Sequence, residues 1–143
     1  MSILNFTTKI DTWKTVTEIQ QILAKHGVTN FSIKNENSFP VALIFTIDFK
    51  GQPLNFLLPC NHKGVLAAFK KDRKVPRSSE NDEQALRTAW RIIKDWVEAQ
   101  MALVESEQAK PEVIFLPYFM KEDGQTLSQF LLEGNGLKLL GNK

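Results

Sequence analysis

Residues 79–107 read SENDEQALRTAWRIIKDWVEAQMALVESE, and this stretch decides the fold. Ser79 has an N-cap side chain, Asp82 follows at capping-box spacing, and Glu80, Asp82 and Glu83 suit a helix's positive end. No Gly or Pro interrupts Glu83–Glu105, where residues of high helix propensity dominate. On a helical wheel, Ala85, Leu86, Ala89, Trp90, Ile92, Ile93, Trp96, Val97, Ala99, Leu103 and Val104 share one arc of roughly 180–200°. Arg87, Arg91, Lys94, Asp95, Glu98 and Glu105 share the other. The stretch predicts a helix about 40 Å long. Its wide apolar arc needs cover from two sides, given by two parts of its own chain or by a partner subunit. Gln100 lies inside that arc, where an amide needs hydrogen-bond partners. It is read as a clamp on neighbouring backbone or as a partner contact.

Outward from this helix the chain takes shape in both directions. Residues 1–10 are expected to form a loose or edge-pairing arm. Asp11 or Thr12 caps a first helix whose face carries Trp13, Val16, Ile19, Ile22 and Leu23, and Gly27 stops it. Phe31 and Ile33 alternate with polar neighbours in a short strand that ends in a loop, Asn35–Pro40. Val41–Phe49 alternates cleanly, with Val41, Leu43, Phe45, Ile47 and Phe49 on one face. Lys50–Pro53 reads as a turn, and Leu54, Phe56 and Leu58 as the inner face of a third strand. Connections this short imply an antiparallel meander.

A short helix over Val65–Lys71 and a basic loop then lead into the long helix. Beyond it, Val113–Leu116 reads as extended and Pro117 ends it. Thr126 caps a brief helix, Leu127–Glu133, closed by Gly134 and Gly136, and residues 137–143 are expected to be loose. The expectation is a single α+β domain over residues 1–143. It comprises an N-terminal helix, a three-stranded antiparallel meander, a long central helix packed on the sheet and an extended C-terminal segment. The order α-β-β-β-α also occurs in double-stranded RNA-binding domains, but their glycine-rich loop and lysine cluster at the second helix start are absent here.

Composition sets outer bounds. With 143 residues and 43% hydrophobic content, the chain can bury a real core. A net charge of +2 excludes a protein whose whole surface grips nucleic acid, so any such role needs a local patch. The single cysteine, Cys60, excludes an intrachain disulfide framework. With neither a signal peptide nor a membrane span expected, the location expected is the cytoplasm of a host cell.

The densest charge feature is Lys70-Lys71-Asp72-Arg73-Lys74-Val75-Pro76-Arg77, five cations and one anion in eight residues. Cations fanned on a loop are what phosphate contacts require. The competing reading is a solvated loop that offsets Glu80, Asp82 and Glu83. Arg87, Arg91 and Lys94 could extend the patch, but Glu83–Arg87, Arg91–Asp95 and Lys94–Glu98 are i,i+4 pairs that neutralise that face.

Cys60, His62 and His26 fall short of the four ligands of a structural zinc site, and no oxyanion turn accompanies the Cys60–His62 pair. No catalytic residue, metal or cofactor is therefore assigned. Trp13, Trp90 and Trp96 fit apolar helix faces. Tyr118 is either the edge of the core or an exposed anchor for a partner.

The run Glu83–Glu105, with Leu58-Pro59-Cys60, Val75-Pro76-Arg77, Leu116-Pro117-Tyr118 and Gly124-Gln125-Thr126-Leu127, resembles an uncharacterised family of small bacteriophage and prophage proteins. The likeness spans Ile19 to Leu132. It implies a mobile-element setting, often near genes for DNA replication or recombination, and brings no activity, cofactor or catalytic residue. The functional expectation is a non-enzymatic phage accessory protein that binds nucleic acid or a nucleoprotein complex through Lys70, Lys71, Arg73, Lys74 and Arg77. The alternative is an inhibitor of a host defence system that binds protein or a small molecule, with Gln100 and Tyr118 as partner contacts. Neither reading involves a membrane, and a homodimer is compatible with both.

Overall fold

The computed structural model describes residues 3–135 and has an α+β architecture. Helix α1, Thr12–Ala24, starts at Asp11, whose carboxylate accepts from the Trp13 backbone N–H. It buries Thr12, Thr15, Val16, Ile19 and Leu23, which follow one another at helical spacing. Trp13, expected inside, sits at the edge of that stripe and is 44% exposed.

Strands β1 (Thr29–Glu36), β2 (Phe39–Phe49) and β3 (Gln52–Pro59) form an antiparallel meander in the order β1-β2-β3. The predicted loop Asn35–Pro40 shrinks to a two-residue turn, because Asn37 and Ser38 both take positive φ (50° and 67°). Lys50 and Gly51 do the same at the second hairpin (53° and 84°). On the inner face Leu43, Phe45 and Ile47 stand opposite Leu58, Phe56 and Leu54. Val41 is only half-buried, at the bulge where the β1–β2 register shifts between Ala42 and Pro40, and Phe49 is exposed at the end of the strand.

Helix α2 spans His62–Lys71, one turn earlier than expected, since Asn61 caps it by accepting from Gly64 N. Helix α3, Asp82–Glu105, is the long central helix; its 24 residues give a length of about 36 Å. Its N-cap is Asn81, whose side chain accepts from Gln84 N at 2.9 Å, and not Ser79. Ser79 instead closes a 3-10 turn, Arg77–Ser79, by donating its N–H to Pro76 O. Trp90 is fully buried and donates from Nε1 to the Pro40 carbonyl at 2.9 Å, which pins α3 to the start of β2. A buried indole leaves no unpaired donor that way.

The two-sided grip on α3 comes from its own chain, with α1 along one flank and α2 along another. A third element was not anticipated. Residues 3–10 form a strap over α3, neither loose nor paired to a sheet edge. Gln84 Nε2 donates to the carbonyls of Phe6 and Thr8, each at 2.9 Å, and Thr88 Oγ1 donates to Asn5 O. Asn5 Nδ2 donates in turn to Asp95 at 2.8 Å. Ile3 and Phe6 add an apolar contact, packing on a small second core of Phe69, Val75 and Ala85.

After α3, the segment expected to be extended is helical: α4 over Pro111–Ile114, then a 3-10 turn over Leu116–Tyr118. Proline suits a first helical turn, and an apolar run of four residues has no period that separates strand from helix. Phe115 is fully buried against the rings of Phe45, Phe56 and Trp96. The chain then meets the free edge of β3, where Met120 N donates to Asn55 O at 2.8 Å. Thr126 and Gln129 form a capping box that starts α5, Leu127–Phe130. The expectations for Gly136 and residues 137–143 lie outside the described residues. Among the described residues, no helix is long and apolar enough to cross a membrane.

Candidate nucleic-acid interface

The basic cluster lies where α2 ends and the chain turns towards α3. Lys70 and Lys71 occupy the last helical turn, where the expected helix Val65–Lys71 also ends and where the dipole of α2 favours positive charge. Asp72 ends the helix in an extended conformation, and its carboxylate accepts from Lys74 N at 2.9 Å. Val75 N donates to Asp72 O. The local turn therefore uses the one acidic side chain of the cluster on backbone.

Two apolar anchors hold this corner. Phe69 is fully buried and Val75 is 5% exposed, both in the second core that the N-terminal strap covers. Between and beyond them Lys70, Lys71, Arg73, Lys74 and Arg77 are all exposed. Among the described residues none of the five forms an ion pair. The corner is thus a fixed backbone that carries free charge.

The cations of α3 behave differently. Only Lys94–Glu98 forms among the three i,i+4 pairs expected along this helix. Arg91 turns to α1, where it donates to Glu18 Oε1 at 3.2 Å, and Lys94 Nζ lies 3.8 Å from the other Glu18 oxygen. Arg87 donates to Gln84 Oε1 at 2.7 Å. None of these extends the basic corner.

The remaining candidates lie elsewhere. Gln100 is half-buried and makes no side-chain hydrogen bond among the described residues, so it is not a clamp; Gln84 fills that role. Tyr118 is half-buried and edge-on to Trp96, at 6.2 Å between centroids, so it belongs to the rim of the core. In the same segment Val113 and Leu116 are 62% and 50% exposed.

Burial pushes the Cys60 thiol up to about 12, which keeps it protonated at neutral pH and a poor nucleophile. His62 is buried edge-on to Phe39, with Nε2 3.9 Å from an Asp82 oxygen. Among the described residues, no three His, Cys, Asp or Glu side chains gather as a metal-ligand set.

Sequence reasoning missed Glu18, and it missed the polar stripe of Gln84, Thr88 and Asp95. The spacing of that stripe, four then seven residues, was a usable signal for something polar lying along α3. No protein-family model matches the chain, and neither a curated protein nor a solved structure is similar to it.

Proposed function

We propose that this is a non-enzymatic accessory protein of a phage or other mobile element, acting in the host cytoplasm. It binds nucleic acid or a nucleoprotein complex through Lys70, Lys71, Arg73, Lys74 and Arg77. One observation carries the reading: five exposed cations, without ion-pair partners among the described residues, stand on a corner held by Phe69 and Val75. Lysines and arginines held out of ion pairs are available to phosphates without an internal salt bridge to break first. The likeness of Glu83–Glu105 to small phage proteins supplies the setting.

The test is a variant with Lys70, Lys71, Arg73 and Lys74 all changed to Glu. Labelled DNA titrated at low salt should bind the wild type and not the variant, with the melting temperature barely altered. Wild-type protein that binds no nucleic acid, or a variant of unchanged affinity, would sink the proposal.

A second reading rests on Val113 and Leu116, apolar side chains left exposed beside Tyr118 and Trp96. On that reading the protein inhibits a host defence system by docking a protein there, and a second copy of this chain is the simplest competing occupant. Leu116→Asp would then abolish the biological activity while nucleic-acid binding stays intact.

A further inference from the structure

Resting on the nucleic-acid reading above, we infer that the partner is the phosphate backbone of a double helix, held without any reading of base sequence. Three features of the corner lead there. The first is the posture of α2. Its Phe69 is fully buried, and Val65 and Leu66 pack into the same second core, so the helix lies flat against α3 and the N-terminal strap. A recognition helix must project into a major groove about 12 Å wide. The outer face that α2 keeps exposed carries Lys63, Gly64, Ala67, Ala68, Lys70 and Lys71, with no Arg, Asn or Gln to pair bidentately with a base edge, and no strand accompanies it.

The second feature is the absence of a stacking surface. Proteins that grip single strands lay bases on exposed aromatic rings. The aromatic residue within the cluster's own helix, Phe69, has no exposed surface. Among the described residues the exposed large aromatics are Trp13 and Phe49, which belong to the first turn of α1 and the end of β2. A single strand would gain nothing at this corner beyond its phosphates. A double helix offers a higher density of the same charge.

The third feature fixes the size of the contact. Arg91 and Lys94 are ion-paired with Glu18 and Glu98, and Arg87 keeps its charge but is tied to Gln84 on the side of α3 that meets Asp11 and Trp13, so none of the three joins the corner. The contact then rests on the corner's own five cations, Lys70, Lys71, Arg73, Lys74 and Arg77. The logarithm of affinity should then fall against the logarithm of salt with a slope of about −4.5 on duplex DNA and about −3.5 on a single strand. Between about 50 and 200 mM salt the duplex complex should weaken by about 500-fold.

The experiment measures fluorescence anisotropy of the full chain with two DNA duplexes of unrelated sequence, an RNA duplex, a single strand and polyglutamate, across that salt range. Both DNA duplexes should bind alike, within about twofold, with the steep slope, and the single strand more weakly. Arg77→Gln should make the slope shallower by about 0.9 whatever the sequence. Equal or tighter binding of the RNA duplex also supports a backbone contact, and the ratio of the two names the source. A tenfold preference between the DNA sequences, a single strand bound more tightly than either duplex, or a slope near −1 would overturn the inference while leaving nucleic-acid binding in place. Polyglutamate bound as tightly as duplex would replace it with an acidic protein surface. Failure to bind any nucleic acid would overturn the functional reading itself.

Discussion

Two sets of cations in this chain look alike in sequence and differ in every physical respect. Arg91 and Lys94 sit on α3 with side chains 17% and 11% exposed, each drawn to Glu18 across the α1–α3 contact. Lys70, Lys71, Arg73, Lys74 and Arg77 sit at the end of α2, exposed and without ion-pair partners among the described residues. The first set stitches helices together, and the second holds its charge for something outside the fold. Counting charges by window cannot separate them. What separates them is whether tertiary packing brings a carboxylate within reach.

The comparison breaks most readily through affinity. Reversing four charges at the end of α2 removes most of the counterion release, so affinity should fall by at least a hundredfold, equal to about 3 kcal/mol. Folding should weaken by no more than about 1 kcal/mol, from placing two glutamates at the negative end of α2, since none of those side chains is buried. A large loss of stability in that variant would show that the corner serves the fold.

Glu18→Ala tests the other set. The glutamate is 28% exposed, and its removal leaves two partly buried cations short of a partner. Denaturant unfolding should register a loss of about 1–3 kcal/mol, reduced from the buried-pair value by residual solvent contact. Affinity for DNA should not change. If Glu18→Ala raised affinity severalfold, Arg91 and Lys94 would have been released to join the corner, and the two sets would not be separate.

The strap supplies an intermediate case. Gln84→Ala deletes two donated hydrogen bonds, to Phe6 O and Thr8 O, and the acceptor for Arg87. About 1–2 kcal/mol of stability should go, with faster hydrogen exchange in residues 5–8. Because Ile3 and Phe6 also cover Phe69 and Val75, freeing the strap should loosen the basic corner and lower DNA affinity by a few-fold. Unchanged exchange in residues 5–8 would mean that the apolar contacts alone hold the strap.

The sequence carried the α+β order, the meander and the position of the long helix, because each rests on a local period or a turn. The alternation of Leu43, Phe45 and Ile47 and the arc of Trp90 and Val97 needed no knowledge of neighbours. What was not legible depended on distant partners. Gln100 looked like the buried amide because it lies in an apolar arc, yet Gln84 is the one that meets backbone, supplied by a segment 76 and 78 positions away. The pairing of Arg91 with Asp95 was a sound local inference, overridden by Glu18 at a separation of 73. Val113–Leu116 failed for another reason: four apolar residues are too few to reveal a period. The basic cluster was legible as composition, but its rigidity was not, since that comes from Phe69 and Val75 meeting Ile3 and Phe6.

The smallest expected effect lies at the junction between the two sets of cations. Asn81 and Ser79 compete as the start of α3, and the structure gives the role to Asn81, which accepts from Gln84 N and donates from Nδ2 to Ser78 O. Asn81→Ala should therefore cost about 1 kcal/mol, the usual worth of a side-chain cap. Ser79→Ala should stay within about 0.5 kcal/mol, because Ser79 contributes only its backbone to the 3-10 turn. Neither change touches a cation, so DNA affinity should hold in both. The cap nevertheless sits between Arg77 and the first turn of α3, and the chain leaves the basic corner through it. If Asn81→Ala weakened DNA binding as well as folding, the corner would depend on the helix start for its shape. The two regions would then be one mechanical unit carrying two kinds of charge.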